Sequence, residues 1–343
     1  MSKIILEDVR DFNPEHIFEC GQCFRWNKES DGSYTGAAFG KVINVFAAGK
    51  SITLTNTNVD EFESIWRDYF DFDTDYDAIK NEISRDDDIM KKAILSGYGI
   101  RILNQEIWET IASFIISANN NIPRIKGSIE ALAKNYGQKI DRFMGKDYYT
   151  FPSPEVVAEL TLDDLTICGL GYRAKYLIET AKKVVEDGID KIKALADEDV
   201  PTEEAFEYVN KFSGVGPKVA NCILLFSMKK KDAFPIDTWV KKVMHELYGI
   251  EEENTSAMEF FAIENFGKNA GIAQQYLFYY MRTGREAELR DQREKELKEK
   301  MAARELEPKK PKTDRKFSSF DREERPVKQY KRGPEFKPVE RKK

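Results

Sequence analysis

The stretch Phe212-Ser213-Gly214-Val215-Gly216-Pro217-Lys218-Val219-Ala220 constrains this chain more than any other. Two glycines one residue apart form a tight turn and leave its backbone N–H groups uncovered by side chains. Pro217 then suits the first position of a helix, where a missing N–H is no loss. A turn that launches a helix makes an anion site fit for a phosphate. Lys218 stands one residue into that helix, beside the positive end of its dipole, where a lysine amine can serve as a nucleophile. Asp237 follows in Phe234-Pro235-Ile236-Asp237-Thr238-Trp239, ahead of another helix. Phosphate grip, amine and carboxylate together point to chemistry on a nucleic-acid strand. Each also has a plainer use: a solvated lysine in a first turn, and an aspartate that only caps its helix.

A chain of 343 residues is long enough for two or three domains and a sizeable core. No apolar run is long enough to span a membrane, and the acids at Glu7 and Asp8 argue against a signal peptide. A cytoplasmic protein is expected, nucleoid-associated if the source is bacterial. The net charge of −6 is unusual for a nucleic-acid binder, so binding would need a local basic face. Candidates are Arg124, Lys126, Arg173, Lys175, Lys218, Lys241 and Lys242. Cys20 and Cys23 have the C-x-x-C spacing of redox or metal sites, but no second pair accompanies them. They read as two small half-buried residues. No cofactor and no metal are expected.

The pattern predicts an α+β chain with three parts. Residues 1–103 should form an N-terminal domain with an antiparallel sheet. Short strands are expected at Cys23–Trp26, Tyr34–Ala38, Val42–Phe46 and Ser51–Thr55, bounded by Asp31-Gly32, Gly40 and Gly49. From Asp60 the apolar spacing of Phe62, Ile65, Trp66, Tyr69 and Phe70 is helical. Residues 104–284 should be helical throughout, with helices ended by Gly137 and Gly188 and others at about 200–212, 217–228, 237–248, 255–266 and 269–283. Residues 285–343 should be a charged, disordered tail whose last part, from Pro308, is basic and poor in apolar residues. A flexible cationic arm of this kind would add non-specific DNA affinity through counterion release.

From Phe212 to Trp239 the chain resembles the helix-hairpin-helix-GPD signature of base-excision DNA glycosylases, and the lysine marks their lyase-competent members. Further motifs are Gly21-Gln22-Cys23-Phe24-Arg25-Trp26, Asn119-Asn120-Asn121-Ile122-Pro123-Arg124-Ile125, Leu170-Gly171-Tyr172-Arg173-Ala174-Lys175-Tyr176 and Ala270-Gly271-Ile272-Ala273-Gln274-Gln275-Tyr276-Leu277-Phe278. With the hairpin they stand in the order found in eukaryotic-type 8-oxoguanine DNA glycosylases, over about residues 10–283. The cysteine run that endonuclease III-type enzymes use for an iron–sulfur cluster is missing from the C-terminal half.

The resemblance implies roles position by position. Lys218 would attack C1′ of the damaged nucleoside, and Asp237 would stabilise the developing positive charge. The Gly21 carbonyl would accept from N7–H, which 8-oxoguanine has and guanine lacks. Gln274 would bond the Watson–Crick edge, and Phe278 and Cys222 would sandwich the flipped base, with Phe226 shaping the pocket. Asn119, Arg124 and Arg173 would hold the orphaned cytosine while Tyr172 wedges into the stack. Gly214, Gly216 and Val219 would grip phosphate, and hairpin carbonyls would hold a monovalent cation. The expected partner is duplex DNA containing 8-oxoguanine, bound by a monomer with no role for membrane. Two departures stand out: Trp239 occupies the place of a family histidine, and Phe226 that of a methionine. Rival readings are a glycosylase for alkylated purines or other lesions, and a helix-hairpin-helix module that binds DNA without catalysis.

Overall fold

Five antiparallel strands form a sheet at the start of the chain: β1 Lys3–Leu6, β2 Trp26–Lys28, β3 Tyr34–Ala38, β4 Lys41–Ala48 and β5 Ser51–Thr55, in the order β1-β5-β4-β3-β2. This computed structural model describes residues 2–285, so the tail expected to be disordered lies, from 286 on, outside the described residues. Residues of period two on β3 to β5, among them Tyr34, Ile43, Val45, Ile52 and Leu54, are buried in one core with Phe18, Trp66 and Phe70. β3 to β5 agree with the sequence expectation. The strand expected at Cys23–Trp26 instead runs Trp26–Lys28. Cys23 is turned back to donate to the Phe18 carbonyl, and pairing begins where Trp26 lies opposite Gly36. A Cβ on Gly36 would stand 2.3 Å from the Trp26 ring, so this register requires glycine. β1 was not foreseen.

The expectation that residues after 104 are all helical also fails at one place. β6 Lys139–Phe143 and β7 Lys146–Tyr149 form a hairpin turned at Met144-Gly145, both with positive φ. Phe143 and Tyr148 on its inner face pack on Ala37 and Val42 of the main sheet. Charged residues interrupt the alternation of these strands, which hid them in the sequence. Gly137 ends the helix Ile122–Tyr136 as expected, though with extended backbone. A Cβ there would meet the Thr150 carbonyl at 1.9 Å, so close approach to the hairpin explains the glycine.

The helices Pro217–Ser227, Thr238–Tyr248 and Thr255–Phe266 lie where the pattern put them, whereas the one expected at 200–212 is confined to Thr202–Val209. Two segments widen into π turns. Phe62–Trp66 does so after Val59–Glu61, and Tyr280–Gly284 continues the helix Ala270–Tyr279. The helix Pro217–Ser227, called here the lysine helix, packs on the helix Ile107–Ser117 and is buried from Val219 onward except at Asn221. No described helix is long and apolar enough to cross a membrane.

Gln22 joins the sheet region to the helical body. It is fully buried; its amide N–H groups donate to the carbonyls of Ile17 and Arg101, and its amide oxygen accepts from Leu103 N. The Gln105 amide in turn donates to the Gln22 carbonyl at 2.7 Å. This network fixes the backbone beside Gly21. Cys20 and Cys23, expected to be half-buried, are both buried, and their thiols are free and point at carbonyls of the helix Pro14–Glu19. Replacing Gln22 by alanine orphans the Arg101 carbonyl and the Leu103 amide in a dry place, each worth roughly 1–3 kcal/mol, and leaves the Ile17 carbonyl only the weak Cys20 thiol donor. Urea unfolding of Gln22→Ala is expected to show a loss of about 3 kcal/mol or more; a loss below about 1 kcal/mol would contradict this account.

Candidate active site

The turn before Lys218 is built as its residues require. Gly214 has φ +79, and a Cβ there would lie 2.8 Å from Cβ of Tyr176, so both conformation and space demand glycine. Thr180 Oγ1 donates to the Ser213 carbonyl at 2.9 Å and ties the turn to the helix Arg173–Asp187. Gly216 is the N-cap of the lysine helix with extended backbone and no side chain to cap it, and Pro217 takes the first turn. Gly214 and Gly216 thus leave the first-turn amides, that of Val219 included, without a side-chain partner, as a phosphate site requires.

Lys218 is half-buried, and its Nζ lies 5.3 Å from the centroid of Phe114. Phe114 stacks on Phe226 with centroids 5.5 Å apart and meets Phe24 edge-on at 5.6 Å. These rings form an apolar floor under the amine. Cys222, one helical turn on, is buried, and burial pushes its thiol up while a hydrogen bond and charge from Lys218 pull it down. Phe226 is 2 % exposed and belongs to this floor, at the end of the face far from the amine.

Asp237 caps the helix Thr238–Tyr248, accepting from Trp239 N at 3.0 Å and Val240 N at 2.8 Å. Burial raises its carboxyl above the ordinary carboxylate value, against the hydrogen bonds from Val240 and Trp239 and the positive charges of Lys218 and Arg282. The amine and the carboxylate therefore share one partly desolvated space. Trp239 is half-buried and carries Lys242 Nζ at 4.9 Å from its ring.

The Gly21 turn forms another wall. Gly21 has φ +82, and a Cβ there would stand 3.5 Å from the Phe278 ring and 3.6 Å from Arg282 Nη1. Phe278 is half-buried, with the Arg282 guanidinium 5.1 Å from its centroid. Gln274 is 2 % exposed and accepts from the buried Gln275 amide at 2.7 Å. Phe114, Gln275 and Arg282 were not singled out from the sequence. Nothing local marks Phe114 and Arg282, because their partners Lys218 and Glu19 lie far away along the chain, and Gln275 reads only as one more polar residue beside Gln274.

Asn119, Arg124, Tyr172 and Arg173 come together at a separate edge. Arg173 is buried and donates to the carbonyls of Ala118, Leu170 and Asn119 at 2.8, 3.4 and 2.8 Å. In this state its guanidinium holds the two loops together. Asn119 is exposed with left-handed backbone, and exposed Arg124 reaches the Gly169 carbonyl at 3.5 Å. Tyr172, 55 % exposed, stacks under Arg173 with 4.5 Å between guanidinium and ring. Of the other basic candidates, Lys126 donates to the Trp26 carbonyl and Lys175 pairs with Glu179 at 3.8 Å. A cavity of about 570 Å³ lies elsewhere, at the Ser227 end of the lysine helix beside Glu106 and Glu109, and it does not reach Lys218. Among the described residues no group of three or more His, Cys, Asp or Glu side chains is placed to hold a metal.

Comparison with known proteins places this geometry in context. The model of the 8-oxoguanine DNA glycosylase N-terminal domain matches residues 4–111, and that of the HhH-GPD superfamily base excision DNA repair protein matches residues 112–268. The structure of Clostridium acetobutylicum 8-oxoguanine glycosylase/lyase in complex with dsDNA containing cytosine opposite to 8-oxoG is 44% identical. It covers 82% of this chain and 96% of its own, with a TM-score of 0.78. A probable N-glycosylase/DNA lyase of Methanothermobacter thermautotrophicus is 32% identical over 62% of this chain and 72% of its own length. The N-glycosylase/DNA lyase of Saccharomyces cerevisiae is 38% identical over 49% of this chain and 46% of its own. A 3-methyladenine DNA glycosylase from Archaeoglobus fulgidus, 22% identical with a TM-score of 0.66, shares the fold.

The raised carboxyl of Asp237 has a consequence for stability. A group whose proton affinity is higher folded than unfolded stabilises the fold at acid pH, and that contribution is lost as pH rises through its folded value. At pH 7 this raised proton affinity of Asp237 therefore costs stability. An asparagine side chain in its place would keep both cap hydrogen bonds without the charge. Asp237→Asn is expected to be as stable as the native protein or more so at pH 7, with any gain vanishing below about pH 4. Denaturant titrations at both pH values test this; a marked loss at pH 7 would contradict it.

Proposed function

The chain belongs to the 8-oxoguanine DNA glycosylase family of helix-hairpin-helix base excision repair proteins, and from that premise we propose that it removes 8-oxoguanine opposite cytosine by lysine Schiff-base chemistry at Lys218. The observation that carries the assignment to this site is the half-buried Lys218 amine over the Phe114 ring, with its charge felt by the buried thiol of Cys222 and by the carboxylate of Asp237. It is a bifunctional enzyme, a DNA N-glycosylase with lyase activity at abasic sites.

The steps follow from the groups present. Hairpin amides at Gly214, Gly216 and Val219 grip a backbone phosphate while the damaged nucleotide turns out of the stack. The base enters between Phe278 and Cys222, with Gln274 at its Watson–Crick edge, Phe226 behind it and the Gly21 carbonyl at N7–H. Guanine has a lone pair at N7, which would face the carbonyl lone pairs and be rejected. As the C1′–N9 bond breaks, the base leaves with the electron pair and the sugar gains positive charge. The ionised Asp237 stabilises that charge from close by. The Lys218 amine forms the new bond to C1′, and the C1′–O4′ bond then breaks to open the sugar to an imine, the amine's two protons passing to the departed base and to O4′. Loss of a C2′ proton then expels the 3′ phosphate, which cuts the strand. Arg124, Asn119 and Arg173 hold the unpaired cytosine, and Tyr172 fills the gap in the stack.

Hairpin carbonyls of Val209, Phe212 and Ser213 each accept one hydrogen bond and keep a second lone pair, which fits a monovalent cation there. Such an ion would add positive charge near the phosphate. Both reactive groups belong to one chain, so a monomer suffices. The rival substrate class, alkylated purines, lacks the N7–H that the Gly21 carbonyl would select for.

Lys218→Gln is expected to lose base release and strand cleavage while DNA binding changes by less than about ten-fold, because the hairpin donors remain. Substantial base release by that variant would refute the assignment. Arg124→Ala is expected to weaken discrimination between 8-oxoguanine:cytosine and 8-oxoguanine:adenine duplexes by about ten-fold or more, the value of one lost bidentate contact. Equal losses opposite all four bases would instead make Arg124 a phosphate contact.

A further inference from the structure

Arg282 touches two walls of the site at once. It lies in the π turn Tyr280–Gly284 and is half-buried. Its guanidinium is 5.1 Å from the centroid of Phe278, four residues earlier. Four residues make more than one turn of an α-helix but nearly one turn of the wider π-helix, which brings Arg282 close above Phe278. Its Nη2 donates to the Glu19 carbonyl, 263 residues away in sequence. Glu19 is the last residue of the helix Pro14–Glu19, so this carbonyl is among those with no partner inside their own helix. Nη1 stands 3.6 Å from where a Cβ on Gly21 would be.

We propose that Arg282 is a positioning residue for the flipped base, bracing Phe278 and the Gly21 turn as two walls of one slot. The proposal rests on the reading that Phe278 and Gly21 face the excised base. A guanidinium suits the task because its planar fork can hydrogen-bond at its edge while its face covers a ring. The ring's other face is then left for the base. Holding Glu19 fixes the end of the helix that delivers Gly21, and so the direction of the Gly21 carbonyl. Gln22 fixes the same turn from the other side through Leu103 and Arg101. Arg282 also sends positive charge towards Asp237.

The slot matters only while a base is present, which gives the test. A preformed abasic site has no base to seat, so strand cleavage there uses Lys218 without the slot. Single-turnover base release from an 8-oxoguanine:cytosine duplex and cleavage of a preformed abasic duplex are measured for the native enzyme, Arg282→Met and Arg282→Lys. Arg282→Met is expected to release base roughly ten- to a hundred-fold more slowly, from loss of a charged hydrogen bond and a cation–π contact. Abasic cleavage should stay within about two-fold, since its chemistry needs no base contacts. Arg282→Lys keeps a cation over the ring without the fork and should fall between Arg282→Met and the native enzyme. Base release at the native rate in Arg282→Met overturns the proposal. If Arg282→Met loses both activities, Arg282→Lys decides: slowed base release with abasic cleavage retained supports the role, and parallel loss of both overturns it. Failure of the native enzyme on both substrates would instead refute the functional reading itself.

Discussion

A carboxylate and an amine must share a partly dry space without locking into a permanent pair. Asp237 meets this by giving its Oδ1 to two amides at the start of a helix. The cap fixes the carboxylate's direction, so Lys218 is not needed to hold it. Burial makes its charge costly, and the nearby cations Lys218 and Arg282 offset part of that cost. A carboxylate in that condition gains most when positive charge develops beside it, as it does on a sugar losing its base.

The rest of the structure serves this placement from both ends of the chain. The glycine turn before Lys218 is pressed against Tyr176, and Thr180 ties it to the same helix that Arg173 begins. Arg173 binds carbonyls of two loops and so sets the edge where Tyr172 and Arg124 stand. At the other end, Gln22 and Arg282 converge on the Gly21 turn. Arg25 is buried between Glu109 and Glu130, at 3.4 and 3.3 Å, and anchors the following strand to the helical body. Burial pushes the Glu109 carboxyl up to about 7 even beside this arginine.

Features whose cause is local were legible in the sequence. Gly214, Gly216 and Pro217 announce a turn and a helix start, and Asp237 announces a cap, because those preferences belong to the residues themselves. Strands β3 and β5 were readable as short runs bounded by the turn signals Asp31-Gly32, Gly40 and Gly49, and the helix Thr255–Phe266 lies where it was expected. The hairpin β6–β7 was not, since its strands are largely exposed and charged and so carry little apolar alternation. Met144-Gly145 was the available signal, a turn pair with positive φ at both residues. The seating of the site was hidden for a different reason. Gln22 meets Leu103, Arg282 meets Glu19, and Lys218 meets Phe114, pairings that no local pattern encodes. Arg173 was expected to face cytosine, and in this structure its guanidinium instead bonds to three carbonyls and holds two loops.

The central claim is that the Lys218 amine itself forms the bond to the sugar. Borohydride reduction during reaction with an 8-oxoguanine:cytosine duplex would freeze the imine as a stable amine. Proteolysis and mass spectrometry then identify the modified residue. The account predicts a deoxyribose adduct on Lys218, in the peptide that contains Val219 and Ala220. An adduct on any other amine, or base release with no adduct at all, would contradict it.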